Sequence, residues 1–182
     1  MVVRDALLLG NPLLREKSEY VVDFCPELDP VLEDLKDTLT SHQKATGRGR
    51  GLAAPQLGYL KRVVRIQTKE YTSFFVNPEI VWKSDEMFNV WDSCFSFKGA
   101  FFVKIKRHKK IRVMYQDETG QKHIKEFTDA LSELIQHEID HLDGKLFIDK
   151  VADPGLIRPV TREAAKGRDE VCLQGKSEEC MM

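Results

Sequence analysis

Long hydrophobic runs are missing from this chain. No apolar stretch approaches the roughly 18 residues that a membrane-spanning helix needs, so no membrane partner is expected. The opening, MVVRDALLLGNPLL, lacks the basic-then-apolar layout of a secretory signal. It also lacks the Arg- and Ser-rich, acid-poor look of an organelle presequence. Paired cysteine spacing is absent: Cys25, Cys94, Cys172 and Cys180 stand apart, which argues for a reducing compartment and against a disulfide framework. No charge of one sign dominates, the formal net charge being −1, so no specific nucleic-acid partner is expected. The basic run KIKRHKK (104–110) is short and reads as part of an exposed strand rather than a nucleic-acid patch. Internal repeats are absent as well. These absences leave the cytoplasm as the expected location, or an organelle if a presequence was removed.

What is present is enough for one folded domain. With 182 residues, 42% of them hydrophobic and 31% charged, the chain can bury a core and stay soluble. LDPVLEDLKDTLTSHQ (28–43) predicts the first helix, with Asp29 as N-cap, Pro30 at the first helical position, and Val31, Leu32, Leu35 and Leu39 forming one apolar stripe. RVVRI (62–66), SFFVN (73–77), EIVWK (79–83) and FFVKIK (101–106) read as short strands. KKIRVMYQ and QKHIKEF flank DETG (117–120), a hairpin signal. A second helix is predicted from Asp129, as N-cap, to Asp143-Gly144. The expected class is α+β: short antiparallel β-sheets packed around one central helix. Residues 1–152 read as the domain, and 153–182 as a weakly structured tail interrupted by Pro154, Gly155 and Pro159.

LIQHEIDHLDG (134–144) carries the chemistry. His137 and His141 fall one turn apart on one helix face and can grip one metal ion, with Glu138 placed to act as a base. Leu131, Leu134, Ile135, Ile139 and Leu142 surround the pair, so the helix is buried and its histidines need partners. A catalytic site of this type takes three protein ligands. No histidine follows His141, which leaves a downstream glutamate (Glu163, Glu170, Glu178 or Glu179) or a thiolate. Cys94, in WDSCFSF (91–97), lies in a strand-like setting and on its own reads equally as a small core residue. GRGLAAPQLG (49–58) is a glycine-rich segment ending in a polar Gln56.

Taken together, these segments resemble the peptide deformylases. GRGLAAPQ (49–56) resembles the family's G-x-G-L-A-A-P-Q loop, DSCFS (92–96) its E-G-C-L-S strand, and QHEIDHLDG (136–144) its Q-H-E-x-D-H-L-x-G helix. Softer echoes are LGNPLLR (9–15), VNPEI (76–80) and LFIDK (146–150). The resemblance implies a metal-dependent hydrolase that removes the N-formyl group from N-terminal methionine. It implies Cys94, His137 and His141 as ligands of one divalent metal, Fe²⁺ in the cell, with Zn²⁺, Ni²⁺ or Co²⁺ able to substitute. It further implies a water on the metal as nucleophile and Glu138 as its general base. The Gln56 amide and the Phe95 backbone N–H would be the oxyanion donors. The substrate, a formylated peptide or nascent-chain N-terminus, would lie along Gly49, Arg50 and Gly51, held by Arg107. Asp140 is implied only as a support. A monomer or weak dimer is expected.

The chain departs from the family pattern at Asp92 and Ser93 (for Glu and Gly), at Phe95 (for Leu), at Arg50 and at Glu133. Arg50 and Glu133 fall where the resemblance places the methionine pocket. They are expected to pair across or near it, narrowing it or making it more polar. The alternative function is a deformylase-like protein with its metal site intact that binds peptides or uses another acyl substrate. A thermolysin-type peptidase, with a glutamate ligand from the tail, is a further alternative.

Overall fold

The computed structural model describes residues 3–98, 101–151 and 153–159. Helix α1 (Asp29–Thr46) starts at the residue expected to cap it, the cap being Leu28 one position earlier, and ends at Gly47. Strands β1 (Gly51–Ala53), β2 (Val63–Gln67), β3 (Thr72–Lys83), β6 (Lys110–Gln116) and β7 (Lys122–Thr128) form one antiparallel sheet in the order β1-β2-β3-β6-β7. Strands β4 (Met87–Asp92), β5 (Phe101–His108) and β8 (Ile157–Pro159) form a second sheet in the order β4-β5-β8. Helix α2 (Asp129–Leu142) follows β7 directly, capped at Thr128 rather than Asp129.

Alternation along the strands decides which helix covers which face. On β2 and β3, Val63, Phe74 and Val76 join Val31, Leu32, Leu35 and Leu39 of α1. Their neighbours Val64, Ile66 and Phe75 join Ile111, Val113 and Phe127, and Leu134, Ile135 and Ile139 of α2. The five-stranded sheet is thus sandwiched between the two helices. A third cluster, with Leu14, Cys94, Phe97, Val103, Ile105, Leu146 and Phe147, packs beneath the three-stranded sheet.

Three local readings change. The runs at 73–77 and 79–83 are one strand, β3, bent at Asn77-Pro78 with a register shift between Val76 and Glu79. Asn77 takes a left-handed φ of 53° there, and its side chain accepts from Val21 N and donates to Val21 O, both at 2.8 Å. A proline that ends pairing in sequence is absorbed by a bulge. The KIKRHKK run is not an exposed strand throughout, because Ile105 and Arg107 point inward and are buried. Finally, residues 154–156 form a 3₁₀ turn and 157–159 pair with Phe101–Val103, so the first residues assigned to the tail extend the second sheet. The remainder of that tail (160–182), with Cys172 and Cys180, lies outside the described residues. Cys25 and Cys94 are free thiols. Among the described residues no helix is long and apolar enough to cross a membrane.

The stop of α2 is a close fit. Gly144 has φ +68°, and a Cβ there would lie 2.3 Å from Arg15 O. Only glycine fits both the angle and the approach.

Candidate metal centre

Helix α2 is buried along Ser132–Ile139 and at His141 and Leu142. His137 and His141, four residues apart, put Nε2 atoms 3.2 Å from each other. Strand β4 ends at Asp92, and Cys94 follows in extended conformation as the cap of a 3₁₀ turn, Phe95–Phe97. The cysteine is therefore just past a strand and not in one. Its Sγ reaches His141 Nε2 at 3.2 Å, and the donor atoms of Cys94, His137 and His141 all lie within 4.8 Å of one another. A four-coordinate ion with nitrogen at about 2.0–2.1 Å and sulfur at about 2.3 Å spaces its donors by about 3.3–3.6 Å. The three side chains are already gathered at close to that spacing.

The carboxylate of Asp92 organises this cluster. Its Oδ2 accepts from His137 Nδ1 and from Arg107 Nη2, both at 2.9 Å. A proton held on Nδ1 leaves Nε2 as the lone-pair donor a metal needs. Burial pushes the His137 imidazolium down, but the Asp92 charge more than reverses this and holds it well above its usual range. Asp92 itself is held below the usual carboxylate range: burial opposes its charge, and His137 and Arg107 overcome that cost. His141 has no such partner, and burial and the His137 charge push it well below its usual value. A neutral imidazole is the form that ligates. Among the described residues, His141 Nδ1 and Glu138 Oε2 are buried without a hydrogen-bond partner. The Glu138 oxygen, beside a thiol and two imidazoles, fits a site that would hold an ion and its water.

Arg107, expected to hold the peptide, is buried beside this cluster. Strand alternation turns it inward next to exposed Lys106, and its guanidinium is 1% exposed, held between Asp92 and Asp140. Asp140 also accepts Lys150 at 3.2 Å. The arginine supports the carboxylate that accepts from His137 Nδ1. Asp140, expected only as a support, has that role here through Arg107.

The remaining residues converge from β1 and its flanks. Gln56 follows β1 on a 3₁₀ turn and is buried; its Oε1 accepts Ala53 N at 2.9 Å, which aims Nε2 at Cys94 Sγ and Ser96 Oγ, each at 3.3 Å. A Cβ on Gly51 would lie 2.4 Å from Glu138 Oε1, so the β1 backbone lies against that carboxylate. A Cβ on Gly49 would fall 2.4 Å from the Phe95 ring. Glu138 is fully enclosed, and burial, chiefly, pushes its carboxyl up to about 7. Arg50 Nη2 donates to Glu133 Oε2 at 2.7 Å, so the expected pair is formed.

The family model described as polypeptide deformylase matches residues 3–155. The chain belongs to the polypeptide deformylase family. A peptide deformylase of Heliobacterium modesticaldum is 40% identical over 151 residues, covering 83% of this chain and 95% of that one. The crystal structure of peptide deformylase from Thermotoga maritima superposes with a TM-score of 0.77 at 31% identity, covering 84% of this chain and 100% of that one. A peptide deformylase from Synechococcus elongatus, solved in complex with actinonin, gives 0.76 at 28% identity, covering 86% and 91%. The deformylase fold and the gathered S, N, N donors together support a metal cofactor.

Two residues of this deformylase site carry weight that sequence reasoning did not give them. Asp92 was legible in principle, since a carboxylate two residues before a cysteine in extended chain shares its side. Gln43 gave no signal: its Nε2 donates to Gly49 O at 2.7 Å and Gln67 O at 2.9 Å, tying α1 to the strand flank across a fold contact. Asp92→Ala is expected to weaken metal binding by about 10–100-fold, measured by competition with a chromophoric chelator. An unchanged affinity would mean that His137 needs no orienting partner.

Proposed function

We propose that this protein removes the formyl group from the N-terminal methionine of peptides and nascent chains. The observation that carries this is the buried Cys94–His137–His141 triad with Glu138 on the same helix, inside a deformylase fold. A bound divalent ion supplies Lewis acidity, polarising the formyl carbonyl and acidifying a water near neutral pH. The chain supplies the rest. Glu138 takes the water's proton and delivers it to the leaving amine nitrogen, a task suited to a carboxyl that burial has raised. Gln56 Nε2, aimed into the cluster by Ala53 N, offers one donor to the developing oxyanion. The Phe95 N–H, at the first position of a helical turn where no intrahelical acceptor exists, offers the second. β1 is an edge strand, so a peptide can add alongside Gly49, Arg50 and Gly51 with its formylated N-terminus at the triad.

The donor set of one thiolate and two imidazoles suits Fe²⁺ and equally Zn²⁺, Ni²⁺ or Co²⁺, and we assign Fe²⁺ as the ion in the cell. We read the protein as a monomer or weak dimer, acting in the cytoplasm or in an organelle, with neither nucleic acid nor membrane as partner. A glutamate ligand from the tail is not needed once Cys94 completes the triad.

The test is anaerobic loading with Fe²⁺ followed by formate release from a formyl-methionyl tripeptide. Turnover in the ordinary range of about 1–10³ s⁻¹ is expected. Chelation should abolish it and fresh metal restore it. Metal-replete protein that releases no formate would overturn the proposal.

A further inference from the structure

The charge pair Arg50–Glu133 has a position that says what it does. Glu133, His137 and His141 are spaced four residues apart on α2. They therefore run along one stripe of the helix, each about one 5.4 Å turn from the next. The reacting carbonyl sits at His137 and His141, so a group about one turn away stands over Glu133. For an extended substrate lying on β1, that group is the side chain of the residue that carries the formyl group. Arg50 comes from the same strand flank, between the two glycines, and its guanidinium bridges to Glu133 at 2.7 Å. The side chain of Glu133 is 6% exposed and that of Arg50 34% exposed, so the carboxylate is closed in and the guanidinium closes the gap between β1 and α2.

We propose that this ion pair is the wall against which the first substrate side chain rests, and that it makes the protein accept polar, acceptor-tipped first residues such as glutamine alongside methionine. The proposal rests on the deformylase reading. An apolar wall strips water from a glutamine amide and returns no hydrogen bond, which is costly. A guanidinium already held in place by Glu133 returns one. Conversely, a long apolar side chain laid against the pair gains less than it would from an aliphatic wall, because the pair must be partly dehydrated to receive it.

The experiment compares kcat/KM for formyl-Met-Ala-Ser and formyl-Gln-Ala-Ser in the Fe²⁺-loaded protein. Dissociation constants of the two unformylated tripeptides are measured in parallel by calorimetry. In the natural chain the Met-to-Gln ratio is expected to stay within about tenfold. In the Arg50→Leu/Glu133→Leu double variant it should rise by about ten- to a hundredfold, the range over which one pocket contact discriminates. Glu133→Leu alone, from which partly exposed Arg50 can turn to solvent, should move the ratio the same way and serves if the double variant does not fold. The charge-swapped variant Arg50→Glu/Glu133→Arg should bring it back down. A folded variant whose ratio stays within twofold of the natural chain in both measurements overturns the proposal and leaves the pair as a strut between β1 and α2. No formate release from either peptide, with the binding ratio still shifting, would sink the deformylase reading and leave the specificity wall standing.

Discussion

Glu138→Gln is expected to lower kcat by about 10²–10⁴-fold while metal content stays unchanged. The amide keeps the shape but cannot take a proton from water. Metal analysis of the purified variant, beside formate release, separates loss of the base from loss of the ion. The pH dependence carries a sign. Burial raises the carboxyl to about 7, so in the metal-free protein the base becomes available only as pH climbs through that value. A cation on the triad favours the carboxylate, so in the loaded protein the acid limb of kcat/KM falls below that value, and the Gln variant should lose the limb altogether. The same shift predicts a gain elsewhere. A carboxyl raised from its ordinary 4.5 to about 7 contributes stability below pH 4.5 that is lost as pH rises through 7. At pH 8 the metal-free Gln variant should therefore be more stable than the natural chain, by about 1–3 kcal/mol in a urea titration. Equal stability would mean that Glu138 is not held in a desolvated site.

The second large effect comes from a single methyl group. Gly51→Ala should lower kcat/KM by about 100-fold with the fold and the metal retained. The added Cβ would meet Glu138 Oε1 at 2.4 Å, Cδ at 2.8 Å and Cγ at 2.9 Å, and these are its three nearest atoms. Gly51 does not need a left-handed backbone angle, so strain is not the mechanism. The base is displaced from its place while α2 and its histidines stay. Metal affinity and melting temperature should stay near those of the natural chain while turnover falls. Full activity would show that the contact between β1 and the base does not set its position.

The part of the site legible in sequence is the part built by one periodic element. His137, Glu138 and His141 share a helix, so 3.6-residue periodicity places them without any tertiary knowledge. Gln56 was marked by its glycine-rich approach. The Arg50–Glu133 pair was expected from two charges at positions the resemblance brings together, and it forms. Cys94 could be assigned only by resemblance, because its join to His141 spans 47 residues and runs from the turn after β4 to α2. The burial of Arg107 was not legible for a physical reason: a run of basic residues hides the strand alternation that turns one of them into the core. β1 read as loop because Gly-Leu-Ala has no strand propensity, and its partner strand decides its state. α1 and the β6–β7 hairpin, with strong local signals, were placed to within a few residues.

The gathering of Cys94, His137 and His141 has a mechanical side. Cys94 belongs to the packing of the three-stranded sheet, while the two histidines ride on the helix that covers the five-stranded one. Any ion shared among them ties these two bodies together by a chemical rivet. Binding that exists only in the assembled state adds about 2.7 kcal/mol when free metal is 100 times its dissociation constant. Metal supply and heat resistance are thereby made one quantity, and a chain starved of its ion is loosened along the joint where its substrate would react.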